Sequence, residues 1–248
     1  MQRFKNKIVV ITGAGSGIGR STALRLDSEG ADLLMIDKNQ GDLDETKKML
    51  KNNNSSAHVV DISSITSTKK FFKDLEKNYK RLDVLINIAG ILRFDNSHEV
   101  ELENWNQILD INLTGTFFMC RHALPLLLKS KGAIVNVSST AALGAHAWTA
   151  AYSASKGGIS AFSKTLAVEY GMKGLNINCV CPASIETPMS SNPVMPKDID
   201  TRLLKKIMPL DGVNRSPDDI ASTIAFLASD DAIHINGIDL RVDGGLLT

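Results

Sequence analysis

Residues 7–37, KIVVITGAGSGIGRSTALRLDSEGADLLMID, hold two apolar runs separated by a glycine-rich turn and an amphipathic segment. The first run, Lys7 to Thr12, shows no polar alternation, the pattern of a strand buried on both faces. It enters Gly13-Ala-Gly-Ser-Gly-Ile-Gly19, and a helical pattern follows through Glu29. Small residues let a backbone turn tightly and approach a ligand closely. A helix opening directly after such a turn aims its free N–H groups and positive dipole end into it, which suits a pyrophosphate. The spacing is G-x-x-x-G-x-G rather than G-x-G-x-x-G, and a tight strand-to-helix connection is the plainer alternative. The second strand, 31–37, ends in Asp37. An acid there accepts hydrogen bonds from adenosine ribose hydroxyls and repels a 2′-phosphate, so it favours NAD over NADP. The same Asp could instead cap the next turn.

Working outward, the alternation continues to the end of the chain. Further strands are expected at 58–61, 82–87, 132–138, 175–181 and 237–242, with helices at 41–53, 65–80, 100–130, 152–172 and 216–229. Buried strands alternating with helices give an α/β, doubly wound Rossmann-type fold: about seven mostly parallel strands with helices on both faces. No linker-like stretch divides residues 1–248, so one domain is expected. Six of the seven prolines lie between 182 and 217. Residues 183–215 therefore read as an irregular segment with one helix at 197–208, and a long loop in a compact domain is commonly a lid or binding loop.

Composition narrows the function classes. The net charge is +1, with 28 basic and 27 acidic residues and no long basic run, so nothing points to nucleic acid or an anionic membrane surface. No apolar run approaches the ~20 residues of a membrane span, and no signal peptide is expected before the first strand. A cytoplasmic location is the expectation. Three cysteines form no disulfide framework. Cys179 and Cys181 alternate on a strand and read as small core residues sharing a face. No cysteine or histidine spacing suits a metal, so none is expected.

Asp37, Asp61, Asn87, Ser139 and Cys181-Pro182 all fall at or just past expected strand C-termini, where open α/β sheets bind ligands. The stretch 138–156, SSTAALGAHAWTAAYSASK, lies on that same edge. On a helix, Tyr152 and Lys156 share a face. The same spacing occurs on ordinary solvated helices, so its weight comes from its location. An ammonium beside a phenol favours phenolate and brings Tyr152 nearer to use as a general acid/base. Ser139 could meet the same substrate oxygen. Asn112, inside a helical pattern, reads as an interruption of the helix or as a satisfied polar core residue.

Thr12-GAGSGIG, Asn87-IAG, Asn112 in NLTG, the serine of NVSS, Tyr152-SASK and Pro182…Thr187-Pro-Met occur in an order and spacing that resemble the short-chain dehydrogenase/reductase family over essentially the full chain. The resemblance implies an NAD(P)-dependent oxidoreductase that interconverts a secondary alcohol and a ketone. It implies Tyr152 as general acid/base and Ser139 as the donor to the substrate oxygen. Lys156 would hold the nicotinamide ribose and lower the tyrosine pKa, and Asn112 would position a relay water. For the cofactor it implies Gly13, Ser16 and Ile18 at the pyrophosphate, and Asp37 at the adenosine ribose. Asp61 and Ile62 would flank adenine, Asn87, Ala89 and Gly90 would line the cleft, and Ile185 and Thr187 would meet the carboxamide. It implies a homotetramer, with a dimer as the alternative, packed through the helices around 112–130 and 152–172. Two positions depart from the family pattern. Ala183 follows Pro182 where glycine is usual, and Ile88 replaces a second asparagine.

Ile91, Leu92, Phe94, Ala141, Leu143, His146, Trp148 and 189–212 are candidates for the substrate pocket, which is mostly apolar. His146 and Trp148 equally suit packing against a neighbouring subunit. Three readings stay open: an NAD-dependent alcohol dehydrogenase, an NADPH-dependent 3-oxoacyl-type reductase, and a non-catalytic dinucleotide-binding protein. The four catalytic positions are intact, which disfavours the third.

Overall fold

The computed structural model describes residues 2–144, 146–191, 193–197 and 199–248. In chain order the elements are β1 (Ile8–Thr12), α1 (Gly17–Ser28), β2 (Asp32–Asp37), α2 (Gln40–Met49), β3 (Ser56–Val59), α3 (Ile65–Tyr79) and β4 (Val84–Asn87). Then come α4 (Leu102–Leu109), a π-helical turn (Asp110–Thr114), α5 (Gly115–Ser130), β5 (Ala133–Val137), α6 (Ala150–Gly171), β6 (Asn176–Pro182), the short α7 (Pro188–Ser191), α8 (Pro217–Leu227) and β7 (Asp239–Val242). The seven strands form one parallel sheet in the order β3-β2-β1-β4-β5-β6-β7.

Successive strand residues point to opposite faces, so each apolar run feeds two cores. Val9 and Ile11 join Leu26, Ile220 and Ile224 under α1 and α8. Ile8 and Val10 join Phe71, Phe72, Met119 and Leu127 under α3 and α5. Burial on both sides is why β1 carries no polar alternation. Cys179 and Cys181 lie on one face of β6 with Ile159, all three cysteines being free and buried. The Ser216 hydroxyl accepts from the Asp218 N–H and Pro217 opens α8, which starts that helix at its expected place.

Strand order reverses between β1 and β4. The chain runs outward from β1 to β3 and then returns to the other side of β1, leaving a crevice beyond the C-terminal ends of β1 and β4. The Thr12 hydroxyl closes its floor, accepting from Ile88 N (3.1 Å) and Ala89 N (3.2 Å).

Three elements differ from expectation. β3 begins and ends two residues early. It is an edge strand whose residues are half-buried or exposed, so its apolar signal was displaced toward Val59-Val60. The segment expected to be helical at 197–208 is 3₁₀ over Thr201–Ile207. The 100–130 helix is broken by the π turn at Asn112, where the Gly115 N–H reaches back to the Asp110 carbonyl. Among the described residues no helix is long and apolar enough to cross a membrane, and no three His, Cys, Asp or Glu side chains cluster as a metal site.

Candidate active site

The crevice opens into a cavity of about 590 Å³ that runs past the C-terminal ends of β1, β2, β4, β5 and β6. One end is built by the glycine turn. Gly13 has φ +70°, and a Cβ there would sit 2.9 Å from the Ala89 backbone, so the turn lies flush against the β4 exit. A Cβ on Gly19 would reach the Gly13 carbonyl at 1.9 Å, which fixes how closely α1 packs on β1. Ser16 caps α1 without using its side chain, and the first turn holds no acid. The free N–H groups and the dipole end of α1 thus face the cavity uncompensated, beside the lining residues Gly13, Ser16 and Ile18.

Asp37 stands at the mouth. One carboxylate oxygen accepts from Gly15 N (3.1 Å) and the other from Asn39 N (3.1 Å). Each retains a lone pair for a ligand hydroxyl. Asp61 and Ile62 line the same end. Asp61 is turned partly toward Ser63, accepting from its N–H and its hydroxyl. Ala89 and Gly90 form the middle wall. Ile185 and Thr187 lie opposite, on the strand-like return held by the Ile185–Arg215 bridge. The Thr187 methyl would be 3.1 Å from a Cβ on Gly17, so this loop rests on the glycine turn.

Asn87 is a correction. Its side chain is not in the cavity wall but behind it, donating to Asn136 Oδ1 (2.8 Å) and to Cys120 Sγ (3.3 Å). Strand alternation turns it into the α5 side, while the next residues carry the chain into the cleft. Ala183 has an ordinary negative φ, since positive values among the described non-glycine residues occur only at Asn6, Lys80, Lys131 and Trp148. The backbone at 183 therefore makes no demand for glycine, and the Ala183 N–H is taken by the Val242 carbonyl.

At the far end Ser139, Tyr152 and Lys156 line one wall. Ser139 stands just past β5, its Oγ accepting from Ala141 N (3.1 Å). Lys156 is buried, donating from Nζ to the Val137 carbonyl (2.8 Å), and the Ser138 hydroxyl donates to the Lys156 carbonyl (2.9 Å). Burial brings the ammonium down to about 8. Burial also pushes the Tyr152 phenol up, with only the Ser139 hydroxyl drawing it back. The expected lowering by Lys156 is not what this arrangement produces. The ammonium is held by Val137 and lies over the ring, 5.6 Å from its centroid, rather than at the hydroxyl.

Asn112 lies behind Gly90, outside the wall. Its Oδ1 accepts from Ile91 N (2.8 Å), and its Nδ2 donates to Ile91 O (2.9 Å) and Ser155 Oγ (3.1 Å). Ser155 in turn donates to the Tyr152 carbonyl (2.7 Å). The π turn thus ties the Gly90–Ile91 segment to the helix that carries Tyr152 and Lys156. Sequence reading had no signal for Asn214, a cavity-lining residue whose Oδ1 is buried and has no hydrogen-bond partner among the described residues. Thr12 was visible only as part of a motif, without its clasp.

Comparison with known proteins agrees with this geometry. A family model described as enoyl-(acyl carrier protein) reductase matches residues 13–247. Meso-2,3-butanediol dehydrogenase of Serratia marcescens is 36% identical over 243 residues, covering 98% of this chain and 95% of that protein. The chain belongs to the short-chain dehydrogenase/reductase family. A 3β-hydroxysteroid dehydrogenase of Mediterraneibacter gnavus is 35% identical, covering 100% of this chain and 97% of that protein. The solved structure of levodione reductase superposes with a TM-score of 0.90 at 29% identity, covering 98% of each chain. As a family member the protein is an oxidoreductase acting on CH–OH groups with a nicotinamide dinucleotide. The glycine cradle, the uncompensated helix end and the elongated cavity fit such a cofactor.

Proposed function

We propose that this protein is an NAD-dependent dehydrogenase that interconverts a secondary alcohol and a ketone, with Tyr152 as its general acid/base. The observation that carries this reading is one continuous cavity with the Asp37 carboxylate at one end and Ser139 with Tyr152 at the other. The carboxylate suits ribose hydroxyls and opposes a 2′-phosphate. Gly13, Ser16 and Ile18 would hold the pyrophosphate, and Asp61 and Ile62 would flank the adenine. Ala89 and Gly90 would line the middle, with Asn87 supporting them from behind. Ile185 and Thr187 would meet the carboxamide, and Lys156 the nicotinamide ribose. When bound, the dinucleotide supplies the hydride exchange.

The chain's own residues manage the proton. Ser139 donates a hydrogen bond to the substrate oxygen and so orients it toward Tyr152. Tyr152 removes the hydroxyl proton during oxidation and returns it to the carbonyl oxygen during reduction. A phenol raised by burial is protonated at neutral pH and ready to donate; oxidation needs the phenolate and gains from alkaline pH. Asn112 positions the wall beside Lys156. Residues 183–215 form the substrate-binding loop, a reading supported by Met189, Pro193, Ile207 and Met208 in the cavity wall. The chain works as one domain, cytoplasmic and homotetrameric. The outward Phe117, Val168 and Met172 on and beside α5 and α6 favour assembly through those helices.

The test is turnover of a panel of secondary alcohols with NAD⁺ and NADP⁺ separately, beside Tyr152→Phe. The expected result is NAD⁺ reduction that the variant loses by a factor of about 10³ or more while still binding NADH. Equal turnover by the variant would remove Tyr152 from the chemistry.

A further inference from the structure

The glycine turn is held from behind by a side chain that does not line the cavity. Arg20, in the first turn of α1, is half-buried, and its guanidinium is fixed at three points. Nε donates to the Thr46 hydroxyl of α2 (3.0 Å). Nη2 donates to the Gly15 carbonyl (2.5 Å) and pairs with the exposed Glu45 carboxylate (3.3 Å). Thr46 is fully buried, and its own proton goes to backbone carbonyls, the nearest being Ala14 (3.0 Å). Of the bonds that Arg20 makes, the one to Gly15 is the shortest.

A trans peptide carries its C=O and its N–H on opposite edges. The Gly15–Ser16 peptide turns its carbonyl back onto Arg20, so the Ser16 N–H faces away from the guanidinium, and Ser16 lines the cavity. Among the described residues no acceptor takes that N–H. The preceding peptide is already spent at both ends: its carbonyl, on Ala14, accepts from Thr46, and its N–H, on Gly15, donates to Asp37 (3.1 Å). The two peptides thus divide the work, one holding the Asp37 carboxylate and the other left with a free donor. A hydrogen bond received at one end of a peptide polarises the other end, and an ionised donor makes the stronger bond. Arg20 therefore both aims the Ser16 N–H and strengthens it as a donor.

We propose that Arg20 is a positioning residue for the dinucleotide, acting on the pyrophosphate through the Gly15–Ser16 peptide. Glu45 offsets its charge locally, so the effect travels through that peptide rather than as a field at a distance. The inference rests on the reading above that the glycine turn takes the pyrophosphate. It adds a residue outside the cavity on which that grip depends.

The test measures three probes on the full-length protein: NADH by fluorescence titration, and ADP-ribose and adenosine by displacement of NADH. Arg20→Met should weaken NADH and ADP-ribose about tenfold and leave adenosine, which has no phosphate, within twofold of wild type. Arg20→Lys, which returns a charged donor to the Gly15 carbonyl, should recover most of the loss, and Arg20→Gln, a neutral donor, should recover less. Thermal melting shows that each variant is folded; the Lys and Gln variants carry the comparison if Arg20→Met does not melt cooperatively. NADH binding by Arg20→Met within twofold of wild type overturns the inference. So does an equal loss of adenosine and ADP-ribose, which would make Arg20 a support of the whole turn, or a loss that vanishes at high salt, which would make it a distant charge. If the wild type binds no NADH, the pyrophosphate reading falls first and this one with it.

Discussion

Replacing Asp37 separates two effects that a loss of affinity alone would blur. In Asp37→Ala the N–H groups of Gly15 and Asn39 lose their acceptor. Each such loss is worth about 1 kcal/mol in a partly exposed site, so the glycine turn loosens and both dinucleotides bind several-fold more weakly. The second effect is specific. A charge-assisted hydrogen bond to a ribose hydroxyl is worth about 1.5–3 kcal/mol, so NADH loses a further ~10- to 150-fold. NADPH loses nothing there and is relieved of a like charge, which at ~4 Å near a protein surface amounts to up to about 4 kcal/mol before salt screening. The ratio of the two dissociation constants should therefore shift toward NADPH by on the order of 10² or more. Asp37→Asn keeps an acceptor for Gly15 but faces the Asn39 N–H with an NH2, so it drops the charge and one of the two backbone bonds; it should hold NADH affinity better than Asp37→Ala while still admitting NADPH. The assay is fluorescence titration of NADH and NADPH at low and high salt, with the shift shrinking as salt rises. A ratio that stays within twofold of wild type would refute both the ribose contact and the NAD preference built on it.

Lys156→Met should be more stable than wild type at pH 7. A depression of the lysine from 10.5 to about 8 corresponds to roughly 3 kcal/mol of penalty for the buried charge, less the lost bond to Val137. Below about 8 folded and unfolded chains both carry the proton and the penalty is complete. Between about 8 and 10.5 the folded chain sheds it first, so wild-type stability rises and the variant's advantage fades; melting curves across that range showing a constant difference would contradict the burial argument. Asn112→Ala strips the partners from the N–H and carbonyl of Ile91 and should cost about 2–4 kcal/mol, read as a melting temperature lower by several degrees and faster amide exchange at Ile91. A wild-type melting curve would mean that Asn112 does not hold this wall.

The layers and the parallel sheet were legible because continuous apolar runs such as Ile8–Thr12 can be satisfied only between two covered faces. β3 was misplaced by two residues because an edge strand with Ser56 and His58 in it carries little apolar signal. The site was legible wherever a residue's role follows from the end of its strand: Asp37 after β2, Ser139 after β5. It was not legible where a role depends on how side chains meet across the fold. Asn87 turns away from the cleft because of its strand parity, and which sheet face that parity selects depends on the helices packed there rather than on the residue itself. Lys156 serves the Val137 carbonyl, 19 positions away, before it serves the phenol. Asn214 closes the cavity from a segment with no regular spacing, and nothing around it in the sequence announces a wall.

The Thr12 clasp has a consequence for how the protein comes into being. One hydroxyl joins residue 12 to residues 88 and 89, spans of 76 and 77 positions. The glycine turn is complete in the first 20 residues, yet the surface that faces it arrives only after three further strands have been made. A nascent chain therefore has no dinucleotide site until β4 has emerged and inserted beside β1, and the binding free energy is available only to a chain whose sheet is already ordered there. Cofactor should then act on the whole native state rather than on an early fragment, raising the melting temperature with concentration while leaving residues 1–60, made alone, without measurable affinity.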